Sequence, residues 1–131
     1  NVFAPVMLAK ALIDPLQRGP GTVVNITSIA GSRVHEFAGT AYAASKAALS
    51  ALTREMASDF GKLGVRVNAI APGEILTEIL SPGTAEIMLP AIPLGRLGTS
   101  EEVAETIFFL CDKSAAYING AELHVNGGQH V

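Results

Sequence analysis

Cysteine is almost absent from this chain: Cys111 stands alone among 131 residues. It has no partner for an internal disulfide and no CxxC companion for a metal, which favours a reducing compartment. Its expected place is as a small buried residue at a helix end. Tryptophan is missing and aromatic residues make up 5%. The nine Lys and Arg are scattered rather than clustered, and the formal charge is −3. Neither the basic stripe of a nucleic-acid binder nor a polybasic membrane anchor is visible. No run approaches the ~18 apolar residues of a membrane span, and no basic-then-apolar leader opens the chain. The expected setting is therefore cytoplasmic. A G-x-G-x-x-G phosphate loop is also lacking.

The chain does have abundant apolar side chains, 49% against 16% charged, enough for one core. Val2, Phe3, Val6, Met7, Leu12, Ile13 and Leu16 recur at helical spacing until the breaker Arg18-Gly19-Pro20-Gly21, which predicts one helix and a turn. TVVNI (22–26) reads as a buried parallel strand followed by a loop. From Thr40 to about Lys62 the pattern is helical, with Leu49, Leu52, Met56 and Phe60 on one face. VRVNAI (65–70) is a second strand, stopped by Ala71-Pro72-Gly73. Residues 74–98 carry Pro82, Gly83, Pro90, Pro93, Gly95 and Gly98, which predicts a short helix inside a mobile loop. Thr99 and Glu102 form a capping box for EEVAETIFFL, and ELHVN (122–126) is a third strand.

Strands separated by helices, with near-continuous apolar runs, mean an α/β fold with a parallel sheet covered on both faces. Three strands are few for such a sheet, and one edge would stay open. The chain starts at Asn1 inside an apolar pattern, so sequence is expected upstream.

Tyr42 and Lys46 are four residues apart near a helix start, which puts phenol and ammonium on one face. A free phenol titrates near ~10, and a cation within a few ångströms favours its ionised form, making such a tyrosine a usable acid or base. Taken alone, Tyr-x-x-x-Lys is a weak signal, better read as a half-buried tyrosine beside a solvated lysine. Ser28 follows the first strand's C-terminal end, the edge where open α/β sheets place their sites, although a serine there can also be a simple turn cap.

Together, NITSIAG (25–31), YAASK (42–46), RVNAIAPG with Thr77, and GAELHVNGG (120–128) resemble the short-chain dehydrogenase/reductase family along essentially the whole chain. The resemblance implies the last three strands of a Rossmann-type doubly wound sheet, with roughly a hundred or more residues upstream carrying the phosphate-binding part. It implies a hydride transferred between NAD or NADP and a carbonyl or alcohol substrate, without a metal. Tyr42 matches the family's acid/base, Ser28 the hydroxyl that bonds the reacting oxygen, and Lys46 the ammonium that holds the nicotinamide ribose. Asn1 matches the fourth member of the tetrad. Pro5 has no N–H for the carbonyl four residues earlier, so the Asn1 carbonyl is free to hold a relay water.

Pro72, Gly73, Ile75 and Thr77 match the segment that lies against the nicotinamide. Glu74 is less typical there and either meets a polar substrate or faces solvent. His35 and Phe37 fall in the loop between Ser28 and Tyr42, where they could line a substrate pocket, but neither is read as catalytic. The Ser28–Tyr42 interval is one residue longer than is usual in the family. A homo-oligomer, tetramer or dimer, is implied, and the surplus of alanines on the Thr40 helix gives it an independent reason. The rival readings are a dehydrogenase-like scaffold or cofactor-sensing regulator without turnover, and a structural interaction module. An intact Ser28, Tyr42 and Lys46 set argues against both.

Overall fold

The computed structural model describes residues 1–78, 80 and 83–131. Helices α1 (Phe3–Ala11) and α2 (Ile13–Gln17) lead into strand β1 (Thr22–Ile26) and a 3-10 turn at Ile29–Gly31. Helix α3 (Thr40–Gly61), strand β2 (Arg66–Pro72), helix α4 (Thr84–Met88) and a 3-10 turn at Leu89–Ala91 follow. Helix α5 (Ser100–Cys111), a 3-10 turn at Lys113–Ala115 and strand β3 (Glu122–Val125) complete the order.

The three strands form one parallel sheet in the order β1-β2-β3. Side chains alternate across β2, and the alternation sorts the core into two layers. Val67 packs with Ala9, Met56 and Ala57 under α1 and α3, while Ile70 packs with Leu110 and Ala115 under α5. Both faces are thus covered, which is why central β2 is buried from Val67 to Ala71. Asn68, wholly buried, donates to the Ile118 carbonyl at 2.9 Å and accepts from the Ala121 N–H at 3.0 Å. That bond pair clamps the approach to β3 onto the sheet, since a buried amide must find partners.

Several expectations need correction. The first helix is two, because Pro15 has no N–H to reach the Ala11 carbonyl and the ladder breaks at Leu12. Strand β2 runs on to Pro72, which pairs with Val125; a proline is tolerated as the last strand residue, where the following Gly73 N–H takes over and donates to the Val125 carbonyl at 3.0 Å. Cys111 is exposed, not buried. The helix turns ~100° per residue, so when Leu110 faces the sheet its neighbour faces out. The capping box is present as expected: Thr99 Oγ1 accepts the Glu102 N–H at 3.2 Å, and the Glu102 carboxylate accepts the Thr99 N–H at 2.9 Å. Residues 74–98 contain the short helix α4, and Ile75 forms a parallel bridge with Gly98. Pro82, one of the breakers read in that segment, lies outside the described residues.

Candidate active site at the C-terminal edge of the sheet

All three strands end on the same side, so the segments after Ile26, Pro72 and Val125 converge there. Two glycines allow the approach. A Cβ on Gly31 would lie 2.9 Å from the Ala47 nitrogen, so the turn after Ser28 rests directly on the backbone of α3. A Cβ on Gly73 would run into the Gln129 side chain and come within 2.6 Å of Asn126 Cβ. Glycine is required at both positions by space rather than by backbone conformation.

The convergence produces a cleft of about 430 Å³ lined by Ser28, Tyr42, Gly73, Ile75 and Thr77 together with His35, Phe37 and Glu74. Tyr42 sits in the first turn of α3 and is 43% exposed. Ser28 caps the 3-10 turn by accepting the Ala30 N–H at 3.2 Å, which leaves its own hydroxyl proton available to a ligand. Lys46, one helical turn beyond Tyr42, holds its Nζ 5.5 Å from the tyrosine ring centroid. The same ammonium donates to the Ile26 carbonyl at 2.7 Å, tying α3 to the end of β1. Partial burial pushes the Lys46 pKa below its ordinary value.

Asn1 precedes α1, which opens at Phe3 with Pro5 in its first turn. Its side-chain amide donates to Ser45 Oγ at 3.1 Å, and Ser45 in turn donates to the Tyr42 carbonyl at 2.8 Å. Asn1 and Lys46 open onto a second, larger groove along the free edge of β1, about 760 Å³ and mostly apolar. Four of the eight residues singled out as catalytic or cofactor-binding, namely Gly73, Ile75, Thr77 and Ser28, therefore share one cleft with Tyr42. Lys46 and Asn1 do not line that cleft. Pro72 ends the strand that delivers Gly73.

The Ile75–Gly98 bridge uses the Leu76 N–H (2.9 Å to the Gly98 carbonyl) and the Glu74 carbonyl (2.9 Å from the Gly98 N–H). In a parallel pairing this leaves Ile75's own N–H and C=O on the opposite side. Glu74 is buried rather than facing solvent, and its Oε1 lies 2.6 Å from His35 Nε2. The pair joins residues 39 positions apart, so spacing alone carries no sign of it; the only sequence signals were an unusual carboxylate and a histidine in a loop. Among the described residues, no group of three or more His, Cys, Asp or Glu side chains is placed to hold a metal ion. No described helix is long and apolar enough to cross a membrane.

Comparison with known proteins agrees with this fold. A family model described as enoyl-(acyl carrier protein) reductase matches residues 1–130. Protein FixR of Bradyrhizobium diazoefficiens is 58% identical over 131 residues, covering all of this chain and 47% of FixR. The 3-oxoacyl-[acyl-carrier protein] reductase of Brucella melitensis with bound NAD superposes with a TM-score of 0.93 at 30% identity, over 100% of this chain and 49% of that one. The RhlG/NADP complex of Pseudomonas aeruginosa gives 0.90 at 31% identity, over 99% of this chain and 56% of that one. The chain spans about half the length of the relatives it matches. With its parallel sheet, its Ser28 and Tyr42 on one cleft, and its match along residues 1–130, the chain belongs to the short-chain dehydrogenase/reductase family.

Proposed function

We propose that this chain is the C-terminal, catalytic part of an NAD(P)-dependent oxidoreductase that interconverts a carbonyl compound and its alcohol. The observation that carries the reading is one cleft at the strand ends lined by both Ser28 and Tyr42, with the Lys46 ammonium behind the phenol. The matching structures hold NAD and NADP, and either is compatible with the residues here. The part of the domain that binds the dinucleotide phosphates lies outside residues 1–131 in this reading, which accords with a match to about half of each relative.

When bound, the nicotinamide supplies or accepts the hydride. Ser28 donates its free hydroxyl proton to the reacting oxygen and fixes its position. Tyr42 gives that oxygen a proton in reduction and takes it back in oxidation. The Lys46 ammonium offsets negative charge developing on the phenol and offers its remaining protons to the nicotinamide ribose. Ile75's outward backbone groups suit a carboxamide, and Thr77 adds a hydroxyl at the same wall. Asn1 steadies the Tyr42 turn through Ser45 and leaves its carbonyl for a water of the proton relay.

The test is Tyr42→Phe in the full-length protein across a panel of ketones. Turnover falls at least about a hundredfold, the scale of a lost general acid, while dinucleotide affinity stays within twofold. Turnover close to wild type in that variant would remove Tyr42 from the chemistry. A dehydrogenase-like scaffold or cofactor-sensing regulator without turnover is the second reading; a full-length wild type that binds NAD(P)H but reduces nothing in the panel would favour it.

A further inference from the structure

The cleft holds a polar pair that the hydride-transfer chemistry does not use. His35 and Glu74, whose side chains are 14% and 9% exposed, meet at 2.6 Å on the wall shared with Ser28 and Tyr42. The Phe37 N–H donates to His35 Nδ1 at 3.3 Å, so Nδ1 acts as the acceptor and Nε2 carries the proton given to Glu74 Oε1. Glu74 is held from behind as well: its N–H donates to Gln129 Oε1 at 3.1 Å, and the Arg33 guanidinium donates to the Gln129 carbonyl. The carboxylate is therefore fixed in place, while Glu74 Oε2 accepts no hydrogen bond from the described residues and, unlike the Thr22 hydroxyl, is not sealed from solvent. An acceptor oxygen on a largely buried carboxylate that still opens onto the cleft can exchange its water for a donor on a ligand.

Resting on the proposed function, the geometry points to Glu74 Oε2 as a specificity-determining acceptor for a substrate that carries a hydrogen-bond donor, a hydroxyl or an amino group, away from its reacting carbonyl. His35 orients the carboxylate and occupies its other oxygen, so one donor is taken and not two. Phe37, half exposed at the rim, and Ile75 supply apolar surface for the carbon skeleton between the two polar ends. The substrate class is then a hydroxy- or amino-substituted ketone, or the matching diol or amino alcohol, and not a plain hydrocarbon ketone.

The test uses the full-length protein with bound NAD(P)H and pairs of ketones in which a hydroxyl is free in one member and methylated in the other. The ether keeps the acceptor oxygen but loses the donor and gains one methyl group; a penalty from the methyl alone would persist in Glu74→Leu, whereas one from the lost donor needs the carboxylate. Calorimetry is expected to show the free hydroxyl binding at least tenfold more tightly to wild type, and the ratio falling to within twofold in Glu74→Leu. Should Glu74→Leu fail to fold, Glu74→Gln, of equal size, is expected to lower the ratio at least threefold. His35→Gln, which leaves the carboxylate in the wall, is expected to keep a ratio above threefold. Equal binding of the two members by wild type, no binding of any pair, or a ratio untouched by the Glu74 variants overturns the proposal. Turnover measured in the same samples separates the two readings: a wild type that shows the binding preference but reduces no ketone refutes the catalytic assignment and leaves this site standing. A wild type that reduces both members equally well and binds them equally does the reverse.

Discussion

Lys46 has two neighbours that together define its role: the Tyr42 ring at 5.5 Å and the Ile26 carbonyl at 2.7 Å. Because burial lowers its pKa, the ammonium is harder to keep in the folded protein than in water, and the carbonyl bond offsets part of that cost. Lys46→Ala is expected to raise the dinucleotide KM and lower kcat together, whereas Tyr42→Phe lowers kcat alone; steady-state kinetics at several cofactor concentrations separates them. Gly31 gives a structural counterpart. Gly31→Ala forces a Cβ within 2.9 Å of the α3 backbone, and overpacking of this kind costs about 1–3 kcal/mol. Urea unfolding is expected to show that loss, with turnover falling further than stability because Ser28 moves with the turn. The Tyr42–Lys46 pair was legible from sequence because both members lie on one helix, where spacing dictates proximity. His35 and Glu74 were not, since their meeting depends on how two loops from different strands pack.

Among the elements, α5 shows how a local signal becomes stability. Glu102 closes the capping box and also forms a two-point pair with Arg96, at 2.6 and 2.9 Å. The Arg96 guanidinium first, and the Thr99 N–H second, hold the Glu102 carboxyl down to about 2. A carboxylate depressed in the folded state stabilises above its unfolded pKa, and that contribution is lost as pH falls through the folded value. The start of α5 is therefore expected to lose its stabilisation between the ordinary glutamate range and about pH 2. Glu102→Gln should flatten that part of the acid-unfolding curve, read by circular dichroism. Thr99→Ala should cost about 1 kcal/mol at neutral pH, measured by urea titration. The box was readable from Thr99 and Glu102 three residues apart. Arg96 was not, because it precedes the helix in a turn whose path no periodicity sets. The break at Leu12 was missed for a related reason: the apolar spacing runs through Pro15 without a gap, and only the missing N–H, a backbone property, interrupts the ladder.

For the whole molecule, β1 pairs only with β2 among the described strands, and the 760 Å³ apolar groove runs along its other edge. In the proposed reading, upstream strands of a longer domain cover this edge. Residues 1–131 expressed alone are then expected to bind NAD(P)H far more weakly than the full-length protein and to aggregate through the edge; micromolar cofactor binding by a monomeric fragment would contradict this. Assembly is the other whole-molecule expectation. Ala44, Ala47 and Ala51 are exposed along one stripe of α3, and Phe3, Met7 and Leu8 are exposed on α1, so a helix of a second copy can approach closely. Ala51→Glu in the full-length protein is expected to shift a dimer or tetramer toward monomer by light scattering. The central claim, hydride transfer at the Ser28–Tyr42 cleft, is tested most directly by following deuterium. Full-length protein is given NAD(P)H deuterated at C4 on either face and a hydroxy-substituted ketone, and the alcohol is examined by mass spectrometry. The account predicts one deuterium on the carbinol carbon from one face only, and labelled alcohol formed at least about a hundredfold more slowly when Tyr42→Phe replaces wild type. Alcohol formed without deuterium from either face, or no alcohol from wild type with any ketone of the panel, would contradict it.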